Sequence, residues 1–419
     1  MLQFIWQFQY FNNANLQTVD GEPLQVQHAG TLNRDQGPDF TAAKLRIGNT
    51  LLAGSVELHL RTSDWQRHKH EDDPKYKNVI LHVVYEHDRP VNKIPVLELQ
   101  PLIPNLLLEQ YRELMKTAAF IPCQRSIGTV KPLVWLAWKE RLLVERLSRK
   151  AAVILQKVEQ SKQHWEEVFW WLLARNFGMK TNADAFEAVA RSIPVNVLAK
   201  HKNQLIQLEA LLLGQAGLLI GNFEEEYPRL LQREYSFLKN KYKLQPVHHP
   251  MVFLRMRPVN FPSLRLAQLV ALVNASAHLF SKILEAETVP DLRECFQVTA
   301  NDYWHYHYRL DQPTAYKQKR LGRMMTENIF INTVVPMLFA HGQFHNDAAT
   351  REKALRWLQQ VAPEENHITK NFAGLNIVSE TAYDSQALIE LKNEYCTPKK
   401  CLSCAVGNAL LRNGARSNA

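Results

Sequence analysis

Three short stretches near the start of the chain carry residue types that do hydrolytic chemistry: GPDF at Gly37–Phe40, VELH at Val56–His59 and NVILHVV at Asn78–Val84. Glu57 and His59 are two apart in a strand-like run, so they share one face. Asp39 opens the preceding strand-like run, and the turn pair Gly48-Asn49 folds that run back on the next one. Two carboxylates on adjacent strand ends can hold a hard divalent cation such as Mg²⁺ or Mn²⁺, with water completing the shell. Such an ion activates a water and neutralises charge on a scissile phosphate. In this scheme Asp39 and Glu57 bind the metal, and His59 positions the water or shares its proton.

Strand register decides whether the scheme is possible. A two-residue turn at Gly48-Asn49 sets Leu45 opposite Leu52, which suits the apolar pattern, but it continues to Asp39 opposite Leu58. Asp39 then points away from Glu57. A three-residue loop, or a bulge or bend at Pro38, brings both carboxylates to one face.

The pattern resembles the PD-(D/E)XK nuclease superfamily, where an Asp begins one strand and Glu-x-Lys lies on the next. Asp39 matches the first motif and Glu57-Leu58-His59 the second, with His59 where lysine is usual. Lys44 and His82 are candidates for the missing lysine's role. The order strand, strand, helix-like segment, strand is also similar to that superfamily's core. The resemblance implies a small restriction-endonuclease-like α/β domain and hydrolysis of phosphodiester bonds in DNA or RNA. Over most of its length the chain also resembles an uncharacterised bacterial family of unknown function. That likeness is carried by GPDF, VELH, SDWQRHKH at Ser63–His70, NVILHVV, RMRPVNFP at Arg255–Pro262 and YCTPKKCLSC at Tyr395–Cys404.

Other clusters have both a plain and a chemical reading. His68 and His70, with Asp72 and Asp73, read first as a solvated loop between strands. A His-x-His pair can also ligate Zn²⁺ or Mn²⁺, or reach the Glu57 site and touch a phosphate. Cys396-x₄-Cys401-x₂-Cys404 has the spacing of a thiolate site for Zn²⁺ or an iron–sulfur cluster. A fourth ligand must come from a distance, and Cys123, just after the nuclease-like stretch, is the better placed of the two remaining cysteines. Arg255 and Arg257, flanking Met256 near Phe261, suit phosphate and base contacts, or else polar packing within a helical bundle. The aromatic run Tyr303–Tyr308 reads as a stacking face or as core. No P-loop, dinucleotide fingerprint, GxSxG elbow or HExxH helix is present, which removes the commonest nucleotidase, dehydrogenase, esterase and metalloprotease layouts.

The elements needed to position these residues follow from periodicity. Residues 1–125 read as an α/β domain, with strands at 24–28, 42–47, 50–60 and 78–85 and a helix at 104–120. From 126 to 394 the spacing is helical almost throughout, with Trp135, Trp138, Leu142 and Leu143 on one face. Residues 395–419 form a cysteine-bearing end whose last part, 413–419, reads as a loose tail. The expected class is therefore α+β. Fifty Lys and Arg against 41 Asp and Glu give a net charge of +9, which suits a polyanionic partner such as nucleic acid. The chain shows no apolar run of the ~20 residues a membrane helix needs, and MLQFIWQFQYF lacks the marks of a signal peptide. A cytoplasmic protein without a membrane partner is expected. Two other functions remain open: a non-catalytic nucleic-acid-binding protein on a degenerate nuclease core, and a structural module whose metal site is the cysteine cluster.

Overall fold

The computed structural model describes residues 1–90, 94–276 and 278–416, with side chains through Arg412. It is a mixed α and β molecule: an N-terminal sheet followed by a mostly helical region. The chain forms two compact units. One comprises Met1–Lys139 together with Glu390–Ala419, and the other Glu140–Ile389.

The first unit is built on six strands: β1 (Leu24–His28), β2 (Thr31–Leu32), β3 (Phe40–Ile47), β4 (Thr50–Arg61), β5 (Val79–Glu86) and β6 (Val96–Glu98). Their order is β1-β3-β4-β5-β6, with β2 paired to β3. β1, β3 and β4 are antiparallel, whereas β4, β5 and β6 are parallel. A parallel pair cannot be closed by a tight turn, so the chain between β4 and β5 must cross one face of the sheet. It does so through a short helix, Asp64–Arg67, and a 3₁₀ turn, Pro74–Tyr76. Ser63 stands at the cap position before this helix, although its side chain makes no capping bond. Gly54–His59 of β4 are all buried, because this central strand is covered on both faces.

The β3–β4 register resolves the difficulty posed by the turn. Ile47 pairs with Thr50 and Leu45 with Leu52, so the turn is the two-residue one. The register then shifts between Phe40 and Ala43, and Phe40 pairs with Val56. Ala42, at φ 58°, is the bulged residue. One extra residue in β3 puts Asp39 opposite Glu57 instead of Leu58. The bulge lies at Ala42, on the far side of Phe40 from Pro38.

In the second unit, residues 140–160 of the long helix Pro132–Gln160 lead into helices 165–177 and 179–192, which pack on each other. Helix Leu205–Gln215 is buried from Leu208 onward, as its mostly apolar sequence requires, and it carries Glu209 and Gln215 into the core with it. Phe177, Phe186, Phe280, Phe296, Trp304 and Phe330 fill this core. The aromatic run at 303–308 is mostly packing: Trp304, His305 and His307 are buried, and Tyr303 stacks on His307. Among the described residues no single helix is long and apolar enough to cross a membrane. The C-terminal helix Ala405–Arg416 extends into the stretch expected as a tail, of which residues 417–419 lie outside the described residues.

Candidate functional site

The site lies on the face of the sheet crossed by the β4–β5 connection. Glu57 pairs with His82 and His59 with Val84, and partners in parallel strands point to the same side. Glu57, His59 and His82 therefore stand together on adjacent central strands, and all three are buried. The crossing segment lays His68, His70, Trp65 and Tyr76 over them. The Tyr76 ring stacks on His70 with centroids 3.8 Å apart, and Trp65 meets His59 and His70 edge-on.

Asp39 and Glu57 are side by side, as the bulged register requires. The Asp39 amide donates to Glu57 Oε2 at 2.9 Å, and Asp39 Oδ2 accepts from the Leu58 amide at 3.0 Å. Asp39 Oδ1 accepts from the Gln3 side-chain amide. Both oxygens of Asp39 are thus engaged by protein donors. Glu57 turns its other oxygen, Oε1, toward the histidines: His59 Nε2 and His70 Nε2 each lie 3.6 Å away. His59 Nε2 is also 3.1 Å from His68 Nδ1. The ligand atoms of His59, His68 and His70 all fall within 4.8 Å of one another.

Two ligands at ~2.0–2.1 Å from one first-row cation are about 3–3.4 Å apart. The separations here, 3.1 and 3.6 Å, are close to that edge. His70 Nε2 is buried with no hydrogen-bond partner, a cost that a coordinated ion removes. Behind the cluster, His59 Nδ1 meets His82 Nε2 at 2.8 Å. With Nδ1 carrying the proton toward His82, His59 presents the lone pair of Nε2 to the cluster.

The electrostatics point the same way. Burial, then the neighbouring Asp39 carboxylate, pushes the Glu57 carboxyl up to about 8. Burial also raises Asp39. His59 is pushed down to about 3 by burial and then by His82, His70 and His68, and His82 to about 4 by burial and His70. Neutral imidazoles are the form that binds metal, and two crowded carboxylates are relieved by a cation. The cluster opens into a cavity of about 860 Å³, lined further by Leu108, Tyr111, Arg112 and Met115.

Of the residues singled out by sequence, Asp39, Glu57, His59, His68 and His70 come together. The loop histidines are not simply solvated: His70 is largely buried, while His68 keeps an exposed flank. His82 stands behind His59, whereas Lys44 lies toward the other end of β3, paired with Ala53. Arg255 and Arg257 are exposed residues of the other unit. Arg265, beside them in sequence, is buried on Asn260 and Gln268 and plays a packing role. Sequence reasoning missed Gln3 and Tyr76. Tyr76 sits in the polar run the sequence marked only as a connection, and Gln3 reaches Asp39 from an N-terminal helix, Leu2–Phe8, with no local signal at all.

The chain belongs to the family described as "Protein of unknown function (DUF2851)", whose model matches residues 1–367. No curated protein and no solved structure matches it. None of these comparisons supports the expected likeness to PD-(D/E)XK nucleases.

Proposed function

We propose that this member of the DUF2851 family is a metal-dependent hydrolase of phosphodiester bonds in nucleic acid, with its centre at Glu57, His59, His68 and His70. The observation that carries the reading is the gathering of three imidazoles and a carboxylate oxygen at ligand spacing beside a cavity, with a second carboxylate, Asp39, adjoining. A set this rich in imidazole suits Mn²⁺ or Zn²⁺ better than Mg²⁺, which favours oxygen ligands. Bound there, the ion lowers the pKa of a water and offsets charge on the phosphate. Glu57 supplies the anionic ligand. Asp39, held by Gln3 and Leu58, adds a fixed negative charge that orients the water. His82 locks the tautomer of His59, and Arg112 on the cavity wall pairs with a phosphate. The net charge of +9 favours a polyanionic substrate.

The test is cleavage of single- and double-stranded DNA and RNA with Mn²⁺, Zn²⁺ or Mg²⁺. Wild type is expected to cut in the presence of metal, with rates at least ~100-fold lower in Glu57→Gln and His70→Ala. Binding of nucleic acid without cutting by folded, metal-loaded wild type would replace the hydrolase with a binding protein on the same core. Absence of both would reject the reading.

A further inference from the structure

We propose that Cys123, Cys396, Cys401 and Cys404 form a second, structural metal site, a four-thiolate centre for Zn²⁺ or an iron–sulfur cluster. It is separate from the histidine site and does not depend on the proposed hydrolase activity.

The four thiols are all buried, and none is in a disulfide. They belong to the same unit although 273 positions separate Cys123 from Cys396. The segment carrying Cys123 packs against the C-terminal helix that directly follows Cys404, with Pro122 and Ser126 sharing a cavity wall with Leu410 and Leu411, and the turns that carry Cys396 and Cys401 pack on each other. Burial and this mutual proximity raise the thiols.

The backbone around them is shaped for sulfur. Leu391–Cys396 is a π-helical turn, a wide turn that commonly marks functional positions. A tight turn with Lys399 at φ 54° then leads to the 3₁₀ turn Cys401–Ser403. Cys404 directly precedes the helix Ala405–Arg416, and its sulfur faces the backbone N–H groups of Val406 and Gly407 in that helix's first turn. Donors aimed at a sulfur stabilise its thiolate and tune metal centres. Gly407 makes the approach possible, because a Cβ there would lie 2.3 Å from the Cys401 carbonyl oxygen. Three cysteines on one looped segment and a fourth from a distant one give the four ligands that Zn²⁺ or an iron–sulfur cluster requires.

The experiment uses the full chain purified without oxygen. Elemental analysis and acid-labile sulfide decide between zinc, about one per site, and iron with sulfide. Native wild type is expected to hold one of these, with only Cys295 reacting with a thiol reagent until a mercurial releases the metal. Cys123→Ser, Cys396→Ser, Cys401→Ser and Cys404→Ser should each lose that metal. Cys295→Ser and His70→Ala should retain it, which separates this centre from the histidine site. Folded wild type that carries neither metal and titrates all five thiols, or metal retained in every single variant, would overturn the proposal. The wild-type measurement stands even where a serine variant fails to fold.

Discussion

At the scale of single residues, the least obvious part of the site is the one behind it. His82 is fully buried, yet its Nε2 meets His59 Nδ1 at 2.8 Å. Removing such an outer partner typically costs 10- to 100-fold in metal affinity. His82→Leu is accordingly expected to weaken Mn²⁺ binding by about that factor with the fold intact, measured by calorimetric titration. A second buried acid, Glu209 in the helical unit, has a different consequence. It accepts from Trp304 and Tyr227, but burial holds its carboxyl up at about 7. An unfolded glutamate ionises near 4.5, so below that pH both states are protonated and Glu209 costs nothing. As pH rises toward 7 the unfolded chain gains the ionised form first, and stability falls until the folded group also ionises. Glu209→Gln should flatten this slope, gaining up to ~3 kcal/mol at neutral pH over its effect in acid. Denaturant unfolding across that range would show it, and an unchanged slope would assign the pH dependence elsewhere.

Among the elements, the bulge in β3 does most to make the site. The turn and the apolar pairing of Leu45 with Leu52 specify a register that would turn Asp39 away, and Ala42 reverses it by standing out of the ladder at φ 58°. Left-handed backbone costs an L-residue about 1–2 kcal/mol and a β-branched one more. Ala42→Gly should therefore be neutral or stabilising. Ala42→Val should destabilise by at least ~1 kcal/mol and weaken the Asp39–Glu57 contact, read as a lower melting temperature with reduced metal affinity. The parallel pairing of β4 with β5 has its own requirement at Gly54. A Cβ there would sit 2.6 Å from both the Asn78 carbonyl oxygen and Ile80 Cγ2. Gly54→Ala is expected to cost ~1–3 kcal/mol, the range for overpacking, and chemical denaturation would measure it.

For the whole molecule, the division into two units gives the proposed cysteine site its physical sense. The C-terminal segment, Glu390 onward, joins the unit that begins at Met1, after the chain has built the helical unit between. Non-covalent return over such a distance carries a loop-closure cost, and a metal clip recovers the most where the loop is longest. Metal removal should therefore lower the stability of the sheet-containing unit by several kcal/mol. Thermal unfolding with and without a chelator is the check, and an unchanged transition would confine the thiols to packing.

Local sequence determines a good part of this molecule. The α+β class, the strands at 24–28 and 50–60, the two-residue turn and the helical character after residue 126 follow from periodicity and turn chemistry, which a sequence displays directly. The residue types of the site are legible in the same way, since Glu-x-His in a strand must share a face. What only tertiary structure decided is which of them meet. A one-residue bulge, invisible in an alanine, set Asp39 beside Glu57. The side of the sheet on which the crossing segment runs turned His68 and His70 from loop residues into partners of His59. A helix with no local signal supplied Gln3. Each depends on long-range packing and on where the chain is forced to cross, and local sequence does not encode either until the sheet has formed.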